Sequence, residues 1–225
     1  MGASKKLMEK VLLSYTDKLK ISTARFANVA FSNGSLLYGF NNRIMKRQPI
    51  SSPSDVKRYF VSPIESGQLC MLACILGKSK DIFFPKLTES QMMTFSTIAE
   101  HYLITLGLEP DYCTSEDEAR NKAANWKSSN KKYPVYFFKT DTSGEKSFEE
   151  FYTNTDDVFL NHFESLGVIK NTPIHSKEDI DLLLSEFENL FKNNKIQKSD
   201  IVQLLNKHLP DFKHIETGKS LDQKM

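Results

Sequence analysis

The chain has 225 residues, a formal net charge of +2, and 26% charged against 40% apolar side chains. That length can bury a proper core as one large domain or two small ones. The near-neutral balance lacks the concentrated basic face that nucleic acid usually demands. Cys70, Cys74 and Cys113 make no disulfide framework, and no His/Cys spacing suits a metal. The most apolar stretch, Leu69 to Leu76, is far short of the ~20 residues that span a bilayer. Free thiols and the lack of a recognisable targeting segment favour the cytoplasm.

In chain order, Gly2 to about Lys18 reads as an amphipathic helix, with Leu7, Val11, Leu12 and Tyr15 near helical spacing. Ile21 to Phe26 is a short strand. Ser32-Asn33-Gly34-Ser35 is a turn whose last residue suits an N-cap, opening a helix to about Lys46 that Pro49 ends. Arg58 to Val61 is strand-like. Pro63 sits where a first helical residue would, and Ile64 to Gly77 reads as a mostly buried helix closed by its glycine. Cys70 and Cys74 share a face of that helix and are expected to be buried and inert. Asp81 to Phe84 is a short apolar strand.

Glu89 to Leu106 reads as a second long helix, with Met92, Met93, Phe95 and Tyr102 as core positions. Glu109 to Cys113 is a strand. Ser115-Glu116-Asp117-Glu118 resembles a capping box for a helix to about Asn125. The basic run from Lys127 to Lys132 reads as a solvated loop. Pro134 to Phe138 is a strand, and a polar turn, Thr140 to Gly144, follows. After about Phe159 the pattern becomes helical, with starts at Ser176 and Lys198 and a stop at Pro210; the tail is polar. Strands alternating with helices argue an α/β fold with a helical C-terminal appendage. The expected divisions are 1–87, 88–158 and 159–225.

Four segments carry chemistry. Met1-Gly2-Ala3-Ser4-Lys5 places a lysine one helical turn after the first residue. Arg25-Phe26-Ala27-Asn28-Val29 ends a strand just before the Ser32–Ser35 turn. Asp55-Val56-Lys57-Arg58-Tyr59-Phe60 precedes Pro63-Ile64-Glu65. Ser143-Gly144-Glu145-Lys146-Ser147-Phe148-Glu149-Glu150 follows the last strand. In this order they resemble the second half of the active site of extended short-chain dehydrogenase/reductases that act on nucleotide sugars, and in particular the UDP-N-acetylglucosamine 4,6-dehydratases of polysaccharide biosynthesis. The resemblance covers roughly Met1 to Tyr152.

The resemblance implies an incomplete Rossmann-like extended short-chain dehydrogenase/reductase fold, the C-terminal half, with a substrate-binding subdomain and a helical C-terminal extension. It implies that Lys5 is the family's catalytic and cofactor-binding lysine, which contacts the nicotinamide ribose of NAD or NADP. Met1 stands at the usual tyrosine position, as in the family's Met-Gly-Ala-x-Lys variant, and a thioether transfers no proton. Asn28, with Asn33, Gly34 and Ser35 beyond it, would meet the UDP-sugar; Asn33 replaces a frequent arginine. Arg58 would hold the diphosphate with its planar fork, the alternative being a surface ion pair. Glu145 and Lys146 are either substrate-binding or a plain surface turn.

The implied reaction oxidises the sugar at C4, eliminates water across C5–C6 and returns hydride to C6. No Gly-x-Gly-x-x-Gly occurs: the nine glycines never fall two apart. The chain is therefore expected to be inactive alone and to bind NAD(P) weakly. A complementing N-terminal chain or a homo-oligomer would complete it. A non-catalytic nucleotide-sugar-binding or interaction module is the other reading, with no nucleic acid and no membrane span in either.

Overall fold

The computed structural model describes residues 2–141, 143 and 149–218. In chain order the elements are α1 (Gly2–Leu13), β1 (Thr23–Ala24), β2 (Asn28–Val29), α2 (Leu36–Met45), β3 (Ile50–Pro53), β4 (Lys57–Arg58), β5 (Phe60–Val61) and α3 (Pro63–Leu76). There follow β6 (Ile82–Pro85), a 3₁₀ turn (Glu89–Gln91), β7 (Met93–Thr94), α4 (Phe95–Thr105), β8 (Glu109–Tyr112), α5 (Glu116–Ala124) and β9 (Lys132–Phe138). The chain closes with β10 (Asp157–Phe159), β11 (Leu166–Lys170), α6 (Lys177–Phe191) and α7 (Lys198–His208).

Two sheets organise these elements. The larger has the order β1-β6-β11-β10. β1 runs parallel to β6, with Thr23 opposite Ile82, while β11 lies antiparallel between β6 and β10. The second sheet, β3-β9-β8, is wholly parallel. A parallel sheet needs cover on its faces. Here α2 and α4 bring Leu37, Phe40, Ala99 and Leu103 against Ile50, Tyr133 and Val135, all buried. A separate apolar cluster joins Tyr59, Phe84, Phe151 and Ile169 beneath the larger sheet. Two small ribbons, β2-β5 and β4-β7, lie between these regions in sequence.

The α/β alternation and the parallel partnership of the strands near Thr23 and Ile82 agree with the sequence. Several boundaries differ for local reasons. α1 stops at Leu13 because Ser14 and Thr16 turn their hydroxyls back onto the Val11 and Leu13 carbonyls, at 2.7 and 2.8 Å, competing with the helical ladder. The strand near Arg58 is two short strands in different ribbons, with buried Tyr59 as the handover. The helix expected from Glu89 begins only at Phe95. Thr94 caps it, accepting from the Thr97 N–H at 3.1 Å, and the residues ahead form a turn and β7. Met92, Met93, Phe95 and Tyr102 are half-buried, flanking the two clusters instead of filling them. β10 and β11 have no counterpart in the sequence reading, although β11 is central to the larger sheet.

α3 brings the largest correction. Ser62 and Glu65 form the reciprocal capping box, and Pro63 occupies the first turn. Yet only Leu69 and Ala73 are buried, while Ile64, Met71 and Ile75 are 72, 61 and 67% exposed. Cys70 and Cys74 are exposed as well. The helix is apolar on nearly all sides, which its composition disclosed, but just one stripe meets the sheet. Ser22 fastens that stripe, donating its hydroxyl to the Ala73 carbonyl at 2.6 Å.

Candidate functional site

The site grows from the β2-β5 ribbon. Asn28 lies opposite Phe60, and the Asn28 and Ala30 amides donate to the Tyr59 and Val61 carbonyls at 3.1 and 2.9 Å. The chain then reverses through Phe31 and Gly34, both at positive φ (56° and 76°); glycine takes this geometry without a Cβ clash. Ser35 ends the turn as N-cap of α2, its hydroxyl oxygen accepting from the Tyr38 N–H at 3.1 Å. A cleft of about 130 Å³ opens here, lined by Asn28, Ser32, Ser35, Leu36, Phe60 and Phe95 among others. Phe60 and Phe95 meet edge to face, centroids 5.7 Å apart, and give it a rigid apolar wall. Leu36 and Leu37 of the first turn of α2 line it as well.

The Asn28 side chain continues toward Glu149. Its Nδ2 donates to Glu149 Oε2 at 3.1 Å and to the Tyr59 carbonyl at 3.3 Å. Burial pushes the Glu149 carboxyl above the ordinary glutamate value; the Arg58 charge, a Tyr59 backbone N–H and the Lys5 charge act in the opposite direction. The same carboxylate, after burial and Glu89, helps raise the Tyr59 phenol. Asn28 on β2 therefore bonds a half-buried acid that also feels the charges of Arg58 on β4 and Lys5 on α1. Below it, Tyr59, Phe151 and Phe84 stack with centroids 5.5 and 6.1 Å apart. Arg25 braces the segment: Nη1 donates to the Phe151 carbonyl at 2.8 Å while Nε and Nη2 grip the Glu9 carboxylate at 3.1 and 2.5 Å.

Of the residues singled out in the sequence, Asn28 and Ser35 line the cleft, whereas Arg58 and Lys5 do not and act on Glu149 through their charges. Asn33 and Gly34 are exposed on the adjoining turn. Lys5 is exposed on α1. Met1, Glu145 and Lys146 lie outside the described residues. Glu149 was missed as an individual, although it sits in the Glu149-Glu150 pair of the quoted motif. The acidic pair ahead of the aromatic pair Phe151-Tyr152 was the signal. Arg25 was read as part of a motif and proves to be a brace. Lys5 is free to meet a ligand from solvent, and the sequence holds no Gly-x-Gly-x-x-Gly.

Three comparisons bear on this arrangement. The chain resembles the X-ray structure of Pen from Bacillus thuringiensis with a TM-score of 0.56 and 18% identity, over 82% of this chain and 57% of that one. The likeness shows the fold, α/β and Rossmann-like. The model of the polysaccharide biosynthesis protein family matches residues 1–170, and the chain belongs to that family. It is also 37% identical over 93 residues to a protein of Methanocaldococcus jannaschii described as an uncharacterized membrane protein, covering 39% of this chain and 28% of that one. The chain thus spans little more than half of the one protein and under a third of the other. Among the described residues, no helix is long and apolar enough to cross a membrane.

Proposed function

We propose that the chain forms the nucleotide-sugar-binding part of a 4,6-dehydratase acting on a UDP-N-acetylglucosamine-type substrate in polysaccharide biosynthesis. The carrying observation is that Asn28, which lines the cleft, bonds Glu149, and that the Glu149 carboxyl also feels the charges of Arg58 and Lys5, so that residues from three separated motifs act on one acid. A nucleotide sugar carries two phosphates and a polyol. A guanidinium fork and the α2 N-terminus suit the phosphates, while amide and hydroxyl groups suit the sugar. Arg58 holds the diphosphate, Asn28 meets the sugar, and the Phe60–Phe95 wall excludes water from one side. The 130 Å³ cleft is the floor of such a site, since small-molecule pockets usually run to about 300 Å³ or more.

NAD or NADP supplies the hydride chemistry in the reaction that the family resemblance implies. Lys5 is this chain's own candidate contact with it. These 225 residues alone bind the nucleotide sugar and do not turn it over. Calorimetry with UDP-N-acetylglucosamine, together with a turnover assay supplemented with NAD⁺, tests both halves. Saturable binding without product supports the reading. Turnover by the purified chain, or an absence of binding, overturns it.

A second reading has its own observation. The apolar outer stripe of α3 and the short parallel strand β1, bonded to β6 alone among the described residues, favour completion by another chain. Co-expression with a candidate glycine-rich partner, followed by co-purification and recovery of turnover, separates a split enzyme from a non-catalytic binding module.

A further inference from the structure

Asn28 could present either end of its amide to the cleft. The two ends have opposite chemistry: Nδ2 carries two donors and Oδ1 accepts. Its neighbours decide which. The Tyr59 carbonyl can only accept, and the Glu149 carboxylate only accepts when ionised. Both lie within hydrogen-bond reach of the same Asn28 atom, at 3.3 and 3.1 Å, so that atom must be the nitrogen. Both Nδ2 hydrogens are thereby used. Oδ1 has no partner among the described residues, and Asn28 lines the cleft.

We propose that Glu149 is a positioning residue that locks the Asn28 amide with Oδ1 offered to the ligand, so that this point of the cleft takes a hydroxyl or amide N–H and turns away a phosphate oxygen. The inference rests on the nucleotide-sugar reading and narrows it: Asn28 reads the sugar, and the phosphates lie toward Arg58 and the α2 N-terminus. The tether is long in sequence, 121 residues, and short in space. Without Glu149, the Tyr59 carbonyl still binds one amide hydrogen, but the second is free to turn outward and the amide can rotate. A donor and an acceptor would then compete for the same ligand atom.

The test uses the full 225-residue chain with UDP-N-acetylglucosamine and UDP as separate probes in calorimetry, and amide NMR without ligand. Glu149→Ala is expected to weaken UDP-N-acetylglucosamine binding roughly tenfold, the scale of one hydrogen bond, while leaving UDP within about twofold. Glu149→Gln, which keeps an acceptor oxygen, restores most of the loss. In the Asn28→Ala background, Glu149→Ala adds nothing further. The paired side-chain N–H resonances of Asn28 move in Glu149→Ala and stay close to wild type in Glu149→Gln. Equal losses for UDP and the UDP-sugar, or Asn28 resonances indifferent to Glu149→Ala, overturn the proposal. If the wild-type chain binds neither probe, the nucleotide-sugar reading falls, and the ligand-free Asn28 resonances still decide whether Glu149 sets the amide.

Discussion

Gly167 on β11 lies opposite Phe84 on β6, and the aromatic ring covers the position where a side chain would begin. A Cβ built there would sit 2.2 Å from Phe84 Cζ. The absence of a side chain lets the ring lie against the strand and stack toward Phe151, whose segment carries Glu149. Gly167→Ala is therefore expected to destabilise the fold by about 2 kcal/mol or more, because the ring is fully buried and has no vacant direction to move. Urea unfolding followed by circular dichroism reads this directly. A change under half that size would mean the ring relocates freely.

Arg25 joins α1 to the segment after Phe151 through three hydrogen bonds, two of them to Glu9. Both side chains are largely buried, at 29 and 18% exposure, so removing one partner leaves the other charge poorly solvated. Arg25→Ala should cost about 2–4 kcal/mol, and Arg25→Lys should rescue less than half, since an ammonium cannot reproduce the two-pronged grip. Full rescue by lysine in the same unfolding assay would refute the bidentate account.

Glu149 makes stability depend on pH in a definite direction. Burial raises its folded-state pKa above 4.5, so below that value the carboxyl is neutral in both folded and unfolded chains and contributes nothing. As pH climbs through the raised folded value, ionisation becomes costlier in the folded chain, and stability falls relative to a neutral side chain. Glu149→Gln should thus gain on wild type between pH 4 and pH 7. Melting temperatures of the two proteins across that range check it, and a constant or narrowing difference would show that Arg58 and Lys5 outweigh burial.

Arg58, read as a diphosphate contact, has a salt signature. Arg58→Ala is expected to weaken UDP-N-acetylglucosamine binding by about tenfold or more at low salt, with a smaller deficit at high salt because Coulombic attraction is screened. Titrations at two salt concentrations suffice. A loss indifferent to salt would point to a structural role at the β4-β7 ribbon.

What could be read ahead of the fold was whatever residue chemistry settles locally. Ser35 and Ser115 both cap helices where expected, since a short hydroxyl beside an apolar period needs little context. The Glu118 carboxylate, pulled down to about 2 by the Thr114 backbone and hydroxyl and by Lys122, reaches one residue further back than a standard capping box. Tertiary partnership was less visible. Leu166–Lys170 carries a glycine in a five-residue strand and looks weak alone; it becomes a strand because Phe84 fills the gap over Gly167. The apolar run of α3 predicted burial on composition, but burial depends on what stands opposite. Asn28 and Arg58 could be named from motifs, whereas Glu149 acquires meaning only when the chain brings it back to Asn28, 121 positions earlier.

The two exposed thiols of α3 turn that helix into a footprint of its own surroundings. Cys70 and Cys74 lie one turn apart beside the Ile64–Met71–Ile75 stripe, where a small alkylating reagent can reach them. Any molecule that settles on the stripe shades them and slows their modification, so intact-mass spectra taken over a labelling time course would register occupancy in a mixture without purification of the complex. A helix that lends two buried residues to the core of this chain thus carries a reporter for its external company.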